Sequence, residues 1–239
     1  MELARNFGFR AASGTDIDIV FCVDGTGSLG DASQDIRLFL DDWKQGVRNI
    51  HSDFIEAMNA RCRHIGQLRI RVILFRDYMA DGEHAMMVTD FFQLPQQAAE
   101  FEACINSIHA DGGGDIPEDG LEALTYAIKS QWANAGGTFK RQIIVVLTDA
   151  DTHALGFGSR SEFYPKGMPK DMDELTDWWE DPAIINQRGK RLILVAPNEG
   201  NWQYISDNWE LTWHIPSASG TGLAELNYSE ILNLIAQAV

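Results

Sequence analysis

Asp16-Ile17-Asp18-Ile19-Val20-Phe21-Cys22-Val23-Asp24-Gly25-Thr26-Gly27-Ser28 is the stretch on which the fold turns. Ile17 and the run Ile19 to Val23 read as a strand that is apolar on both faces, the habit of buried parallel strands. The run stops at a carboxylate, Asp24, and hydroxyls follow at alternate positions, Thr26 and Ser28. Open α/β sheets gather their ligands at the carboxyl ends of strands. Gly25 and Gly27 let the backbone turn tightly enough for the three oxygens to converge. Such a set suits Mg²⁺ or Mn²⁺, ahead of Ca²⁺, because the smaller cations favour a compact octahedral oxygen shell that keeps some waters. Taken alone, the same residues also fit an Asp-Gly turn closed by a Ser or Thr helix cap.

Two later segments have a related build. Gly112-Gly113-Gly114-Asp115-Ile116-Pro117-Glu118-Asp119-Gly120-Leu121-Glu122-Ala123-Leu124 is a Gly-rich loop running into a helix, and Ile143-Ile144-Val145-Val146-Leu147-Thr148-Asp149 is a buried strand ending at an Asp. Around them strand and helix signals alternate. Residues from about Asp31 to Ala60 read helical, and Leu68 to Phe75 as a strand. An antiparallel edge strand is expected within Ala85 to Phe92, after the Asp81-Gly82 turn. Pro95 and Pro117 open helices. Arg191 to Ala196 and Leu211 to Ile215 supply strands, and Leu223 to Val239 a closing helix. The pattern predicts an α/β fold with a doubly wound, mostly parallel sheet flanked by helices and one antiparallel edge strand. Residues 1–15 read as an N-terminal extension, and 16–239 as one domain with an insertion at about 152–182.

The three segments, in this order, resemble the metal-ion-dependent adhesion site of von Willebrand factor A domains. In that family the first loop reads Asp-x-Ser/Thr-x-Ser, a second Gly-rich loop carries a Thr, and a third strand ends in Asp. The resemblance implies a Rossmann-like fold with one cation held by Asp24, Thr26, Ser28, Asp115 and Asp149, Asp115 standing where many members have Thr. Capping of the following helix is the other reading of Asp115. The Gly-Gly-Gly-Asp-x-Pro-Glu-Asp loop, with Asp149-Ala150-Asp151-Thr152-His153 after the third strand, is similar to bacterial-type intracellular members. The implied function is a metal-dependent protein-interaction module, an adaptor in a stress, defence or chaperone-like assembly, whose partner completes the metal's coordination.

Composition narrows the alternatives. The chain has 239 residues, a formal net charge of −16 and 45% hydrophobic residues. That is enough apolar material for one sizeable core. The acidity argues against nucleic acid, which calls for a basic stripe; the local cluster Arg61-Cys62-Arg63-His64 with Arg69 and Arg71 reads as a solvated helix end and strand start. No apolar run reaches the ~18–20 residues of a membrane span, and Met1 to Arg10 lacks the apolar centre of a signal peptide. Three unevenly spaced cysteines, Cys22, Cys62 and Cys104, suggest reduced thiols and a cytoplasmic setting.

Glu118 and Asp119, at the first turn of their helix, either complement its dipole or orient waters and Asp115 around the metal. Asp151 and His153 belong to the same rim, His153 as a donor or acid–base group or as a packed imidazole. In the insertion, Tyr164, Trp178 and Trp179 are candidates for a partner-binding rim; a small core of the insertion's own is the alternative. An enzyme reading is disfavoured. There is no Gly-Lys-Ser/Thr phosphate loop and no Gly-x-Ser-x-Gly elbow. A metal-dependent hydrolase or phosphotransferase built on the Asp cluster is the alternative function, but an aspartyl-phosphate enzyme needs a second Asp where Thr26 stands.

Overall fold

The computed structural model describes residues 14–26, 32–109, 112, 117–133, 139–217, 223 and 227–239, with 32–37 described by backbone alone. The first strand, β1 (Thr15–Asp24), lies at the centre of a sheet. Its neighbours are β2 (Ile65–Phe75) on one side and β5 (Lys140–Leu147) on the other, both parallel to it. Beyond β5 come β6 (Lys190–Pro197) and β7 (Thr212–Ser217), also parallel. The order is β3-β2-β1-β5-β6-β7 among the described residues, with β4 also pairing β2. The antiparallel edge is in two pieces. β3 (Met86–Val88) pairs Ile73 to Phe75, and β4 (Phe92–Leu94) pairs Leu68 to Ile70. Between them Thr89 keeps half of the ladder: its N donates to Val72 O at 3.0 Å, while its Oγ1, in place of its carbonyl, accepts from Val72 N at 3.0 Å and the carbonyl accepts from Arg71 Nε at 2.7 Å.

Strand alternation divides the core into two layers. Ile17, Ile19, Phe21 and Val23 face one side and Val20 and Cys22 the other. The first side is covered by α1 (Ala32–Val47), α2 (Ile50–Ala60), α4 (Ala98–Ser107) and α8 (Tyr228–Ala238), through Trp43, Phe54, Phe101 and Ile235 among others. The second is covered by α5 (Gly120–Ile128), α6 (Met172–Glu180) and α7 (Gly200–Asn208), through Leu124, Trp179 and Trp202. A short α3 (Tyr78–Asp81) follows β2. No helix among the described residues is long and apolar enough to cross a membrane.

Several boundaries differ from the sequence reading. The single helix expected over 31–60 is two, broken between Val47 and Ile50, so that Trp43 and Val47 on one and Ile50 and Phe54 on the other all reach the core. The helix after Pro95 begins at Ala98, behind a turn in which Gln97 N donates to Gln93 O at 2.8 Å. The helix after Pro117 begins at Gly120, because Glu118 is occupied in a parallel bridge with Thr152. The last begins at Tyr228, where Asn227 and Glu230 form a reciprocal capping box.

Candidate functional site

The sheet's order reverses at β1: the chain steps first to β2 and later to β5 on the opposite side. Doubly wound sheets open a crevice at that point, at the carboxyl edge. Asp24 ends β1 there and is wholly buried. Its Oδ1 accepts from Thr26 N (3.0 Å) and Thr26 Oγ1 (2.6 Å), and its Oδ2 accepts from Thr148 Oγ1 at 2.8 Å. Thr148 is the first residue past β5 and Asp149, itself buried, the second. The ends of β1 and β5 are therefore tied together through a carboxylate and a hydroxyl. Burial pushes the Asp24 carboxyl up, against the hydrogen bonds of Thr26 and Thr148 and the charge of Arg76.

Of the five sequence-assigned ligands, Asp24, Thr26 and Asp149 are placed at this edge; Ser28 and Asp115 lie outside the described residues. Among the described residues, no group of three or more His, Cys, Asp or Glu side chains is arranged to hold a metal ion. The described donors do fit a hard cation in kind: a buried carboxylate satisfied by hydroxyls and an amide, in ion-pair contact with no base among the described residues, beside a second buried carboxylate.

The surrounding calls fall out differently. Glu118 is buried and its Oε2 has no hydrogen-bond partner among the described residues. Burial and the charges of Asp24, Asp77, Asp81 and Asp119 push its carboxyl up to about 10. Asp119 occupies the cap position of α5 without capping it; its Oδ2 instead accepts from Tyr78 N at 2.7 Å, joining α5 to α3. Asp151 lies against Gly200, at the amino end of α7, where a Cβ would come within 2.0 Å of its Oδ2. A carboxylate there complements the helix dipole. His153 is buried, its Nε2 3.2 Å from Asp77 Oδ2, its ring stacked on Phe157 at 3.7 Å.

The three rim candidates are placed differently: Trp179 is wholly buried, and Tyr164 and Trp178 are half-buried. Trp179 is wholly buried in the main core, stacked on Trp209 at 5.2 Å, which leaves it no surface to offer a partner. Trp178 packs on the same layer with Lys129 Nζ 3.3 Å above its ring. Tyr164 turns inward: its hydroxyl donates to the buried Glu122 at 2.7 Å and accepts from Gly156 N at 3.0 Å. An amphipathic helix in an insertion signals contact with something, and here the something is the domain itself.

Two residues absent from the sequence reading organise the edge. Arg76 donates to Gly25 O (3.1 Å), His84 O (2.7 Å) and His109 O (2.9 Å), pinning three loops. Asp77 is wholly buried; its Oδ1 caps α3 through Met79 N and Ala80 N, and its Oδ2 meets His153. The signal was present: the apolar run Val72 to Phe75 ends near an Asp, as do β1 and β5.

This architecture is that of a von Willebrand factor A fold. A von Willebrand factor type A protein from Catenulispora acidiphila matches 94% of this chain with a TM-score of 0.52 at 14% identity, and the match covers 43% of that chain. The pilus adhesin SpaC from Lactobacillus rhamnosus GG matches 95% with a TM-score of 0.51, again at 14% identity, over 30% of its length. The chain thus spans less than half the length of either structure. Neither a protein-family model nor a curated protein matches the sequence.

Proposed function

We propose that the chain is a protein-interaction module that depends on a divalent cation, Mg²⁺ or Mn²⁺, held at the carboxyl edge between β1 and β5. Asp24, Thr26 and Asp149 hold the ion from the described side of the crevice, and Ser28 and Asp115 are assigned by the sequence motif. The partner supplies an oxygen to complete the shell. One observation carries this reading: Asp24 is wholly buried at the switch point with hydroxyl and amide donors, and among the described residues it forms no ion pair, Arg76 acting on it only at longer range. A buried carboxylate is costly unless charge compensates it, and a cation does so while using the neighbouring hydroxyl oxygens. The adhesin among the structural neighbours fits binding over turnover. His153, the best acid–base candidate, has Nε2 engaged by Asp77 and its ring face covered by Phe157, which favours a tie between loops over proton transfer.

Calorimetric titration of EDTA-treated protein with Mg²⁺ tests this. One site is expected in the wild type and none in Asp24→Ala, with circular dichroism unchanged. Equal affinity in both proteins would remove the cation from this edge.

A further inference from the structure

The sheet ends at β3, whose far side pairs with no strand among the described residues. Arg76 N donates to Ala85 O at 2.7 Å and Thr89 N to Val72 O at 3.0 Å, so Ala85, Met87 and Thr89 turn their main-chain groups to β2. By alternation Met86 and Val88 turn theirs away from the sheet. A cleft of about 960 Å³ runs along this strand, lined by Leu74, Met86, Met87 and Val88 together with Asp81 and Glu83. Met87 packs towards one layer of the core and Met86 and Val88 towards the other. That all three line one cleft means that it takes in the outer edge of the strand as well as the Met87 face.

The cleft is acidic. The Glu83 side chain is 68% exposed and among the described residues meets only the His84 ring, at 3.7 Å. Arg76 also lines the cleft, but its guanidinium is engaged by the carbonyls of Gly25, His84 and His109. Behind it Asp24, Asp77, Asp81 and Asp119 stand close enough to act together on Glu118 as like charges. The sequence following His109, residues 110–116, brings Asp111 and Asp115 and no Lys or Arg. A divalent ion at the carboxyl edge offsets only two of these charges.

We propose that the cleft takes an extended basic segment of a partner protein, which adds a strand to β3 and sets a Lys or Arg against Glu83 and Asp81. The outward main-chain groups of Met86 and Val88 give such a segment its pairing, and the carboxylates select its charge. The methionines form a polarisable floor that accepts varied apolar side chains. A second copy of a chain with net charge −16 is a poor occupant on the same electrostatic ground. The proposal rests on the interaction-module reading and names the partner's chemistry; it does not require the cation.

The test is fluorescence anisotropy with a labelled peptide, Ser-Val-Lys-Val-Lys-Val-Ser, at low ionic strength on EDTA-treated protein. Without Mg²⁺ present, this titration and the cation titration can each fail while the other succeeds. Saturable binding is expected. It should weaken about fivefold or more in Glu83→Lys, the span of one exposed ion pair, and as much for a peptide with Glu in place of both Lys. N-methylation of two adjacent central residues blocks main-chain pairing whichever way the peptide lies, and should weaken binding similarly. Glu56→Lys makes the same change in net charge on the exposed face of α2 and should leave affinity within about twofold. No binding, equal affinity for the Glu or the N-methylated peptide, or equal losses in Glu56→Lys and Glu83→Lys would overturn the proposal. So would a dimer of this chain, seen by sedimentation, that excludes the peptide.

Discussion

Asp24 accepts three hydrogen bonds from Thr26 and Thr148 while buried from water, so its shape is fixed before any ligand arrives. Glu118 is the opposite case, a buried carboxyl with one oxygen unanswered and four carboxylates nearby. Its raised folded-state value, about 10, exceeds that of the unfolded chain, so the folded protein keeps a proton that the unfolded chain has released. Metal-free protein should therefore lose stability as pH rises from about 4.5 towards about 10, by at most ~1.4 kcal/mol per pH unit from this group. Glu118→Gln should flatten that slope, which urea denaturation at several pH values will measure. Asp115 carries a second prediction. Three carboxylates around a divalent ion leave a net charge of −1, and one extra charge about 4 Å away opposes an incoming carboxylate by up to ~4 kcal/mol at an effective dielectric of ~20. Asp115→Thr should weaken Mg²⁺ binding and gain affinity for acidic peptides; unchanged Mg²⁺ affinity with a small loss of thermal stability would make Asp115 a helix cap. At this scale the sequence was only partly legible. Asp24 and Asp149 stood out because a buried strand ends at each, yet Asp77 carries the same mark. Its partner His153 is 76 residues away, and such pairs come from topology, not from local pattern.

Elements were more legible than their uses. Within the insertion the acidic stretch Lys170 to Glu180 reads as a short helix, and α6 spans Met172–Glu180. Its burial was not readable, since a Trp pair fits a rim and a core equally well. Residues 152–182 are part of the fold for this reason: Leu175 and Trp179 are core residues, and Lys190 Nζ donates to Trp179 O at 2.6 Å. Trp179→Ala should cost about 3–5 kcal/mol in chemical denaturation. Tyr164→Phe removes the hydroxyl shared by Glu122 and Gly156, leaves Glu122 Oε1 with the Gly156 N–H alone, and should cost about 0.5–1.5 kcal/mol. A cost near zero in either variant would return these residues to the surface. The helix starts, three residues or more away from the expected prolines and leucines, were set by Gln97, the Glu118–Thr152 bridge and the Asn227 capping box. Of these only the Asn227-x-x-Glu230 spacing was visible in the sequence.

Across the whole molecule the order β2-β1-β5 brings carboxylates to one edge of the sheet, and the starts of the same strands bring arginines to the other. The doubly wound architecture follows from strands alternating with helices, and it sets which strand ends meet; the motif's residues are 125 apart in sequence from Asp24 to Asp149 and neighbours only through that topology. The most direct measurement of the central claim is anomalous diffraction from crystals grown with Mn²⁺. The account expects one peak at the carboxyl edge, about 2.0–2.3 Å from oxygens of the Asp24 and Thr26 loop or bridged to Asp149 by water, and its loss in Asp24→Asn. A fully ordered edge without a peak, or the same peak persisting in Asp24→Asn, would contradict it.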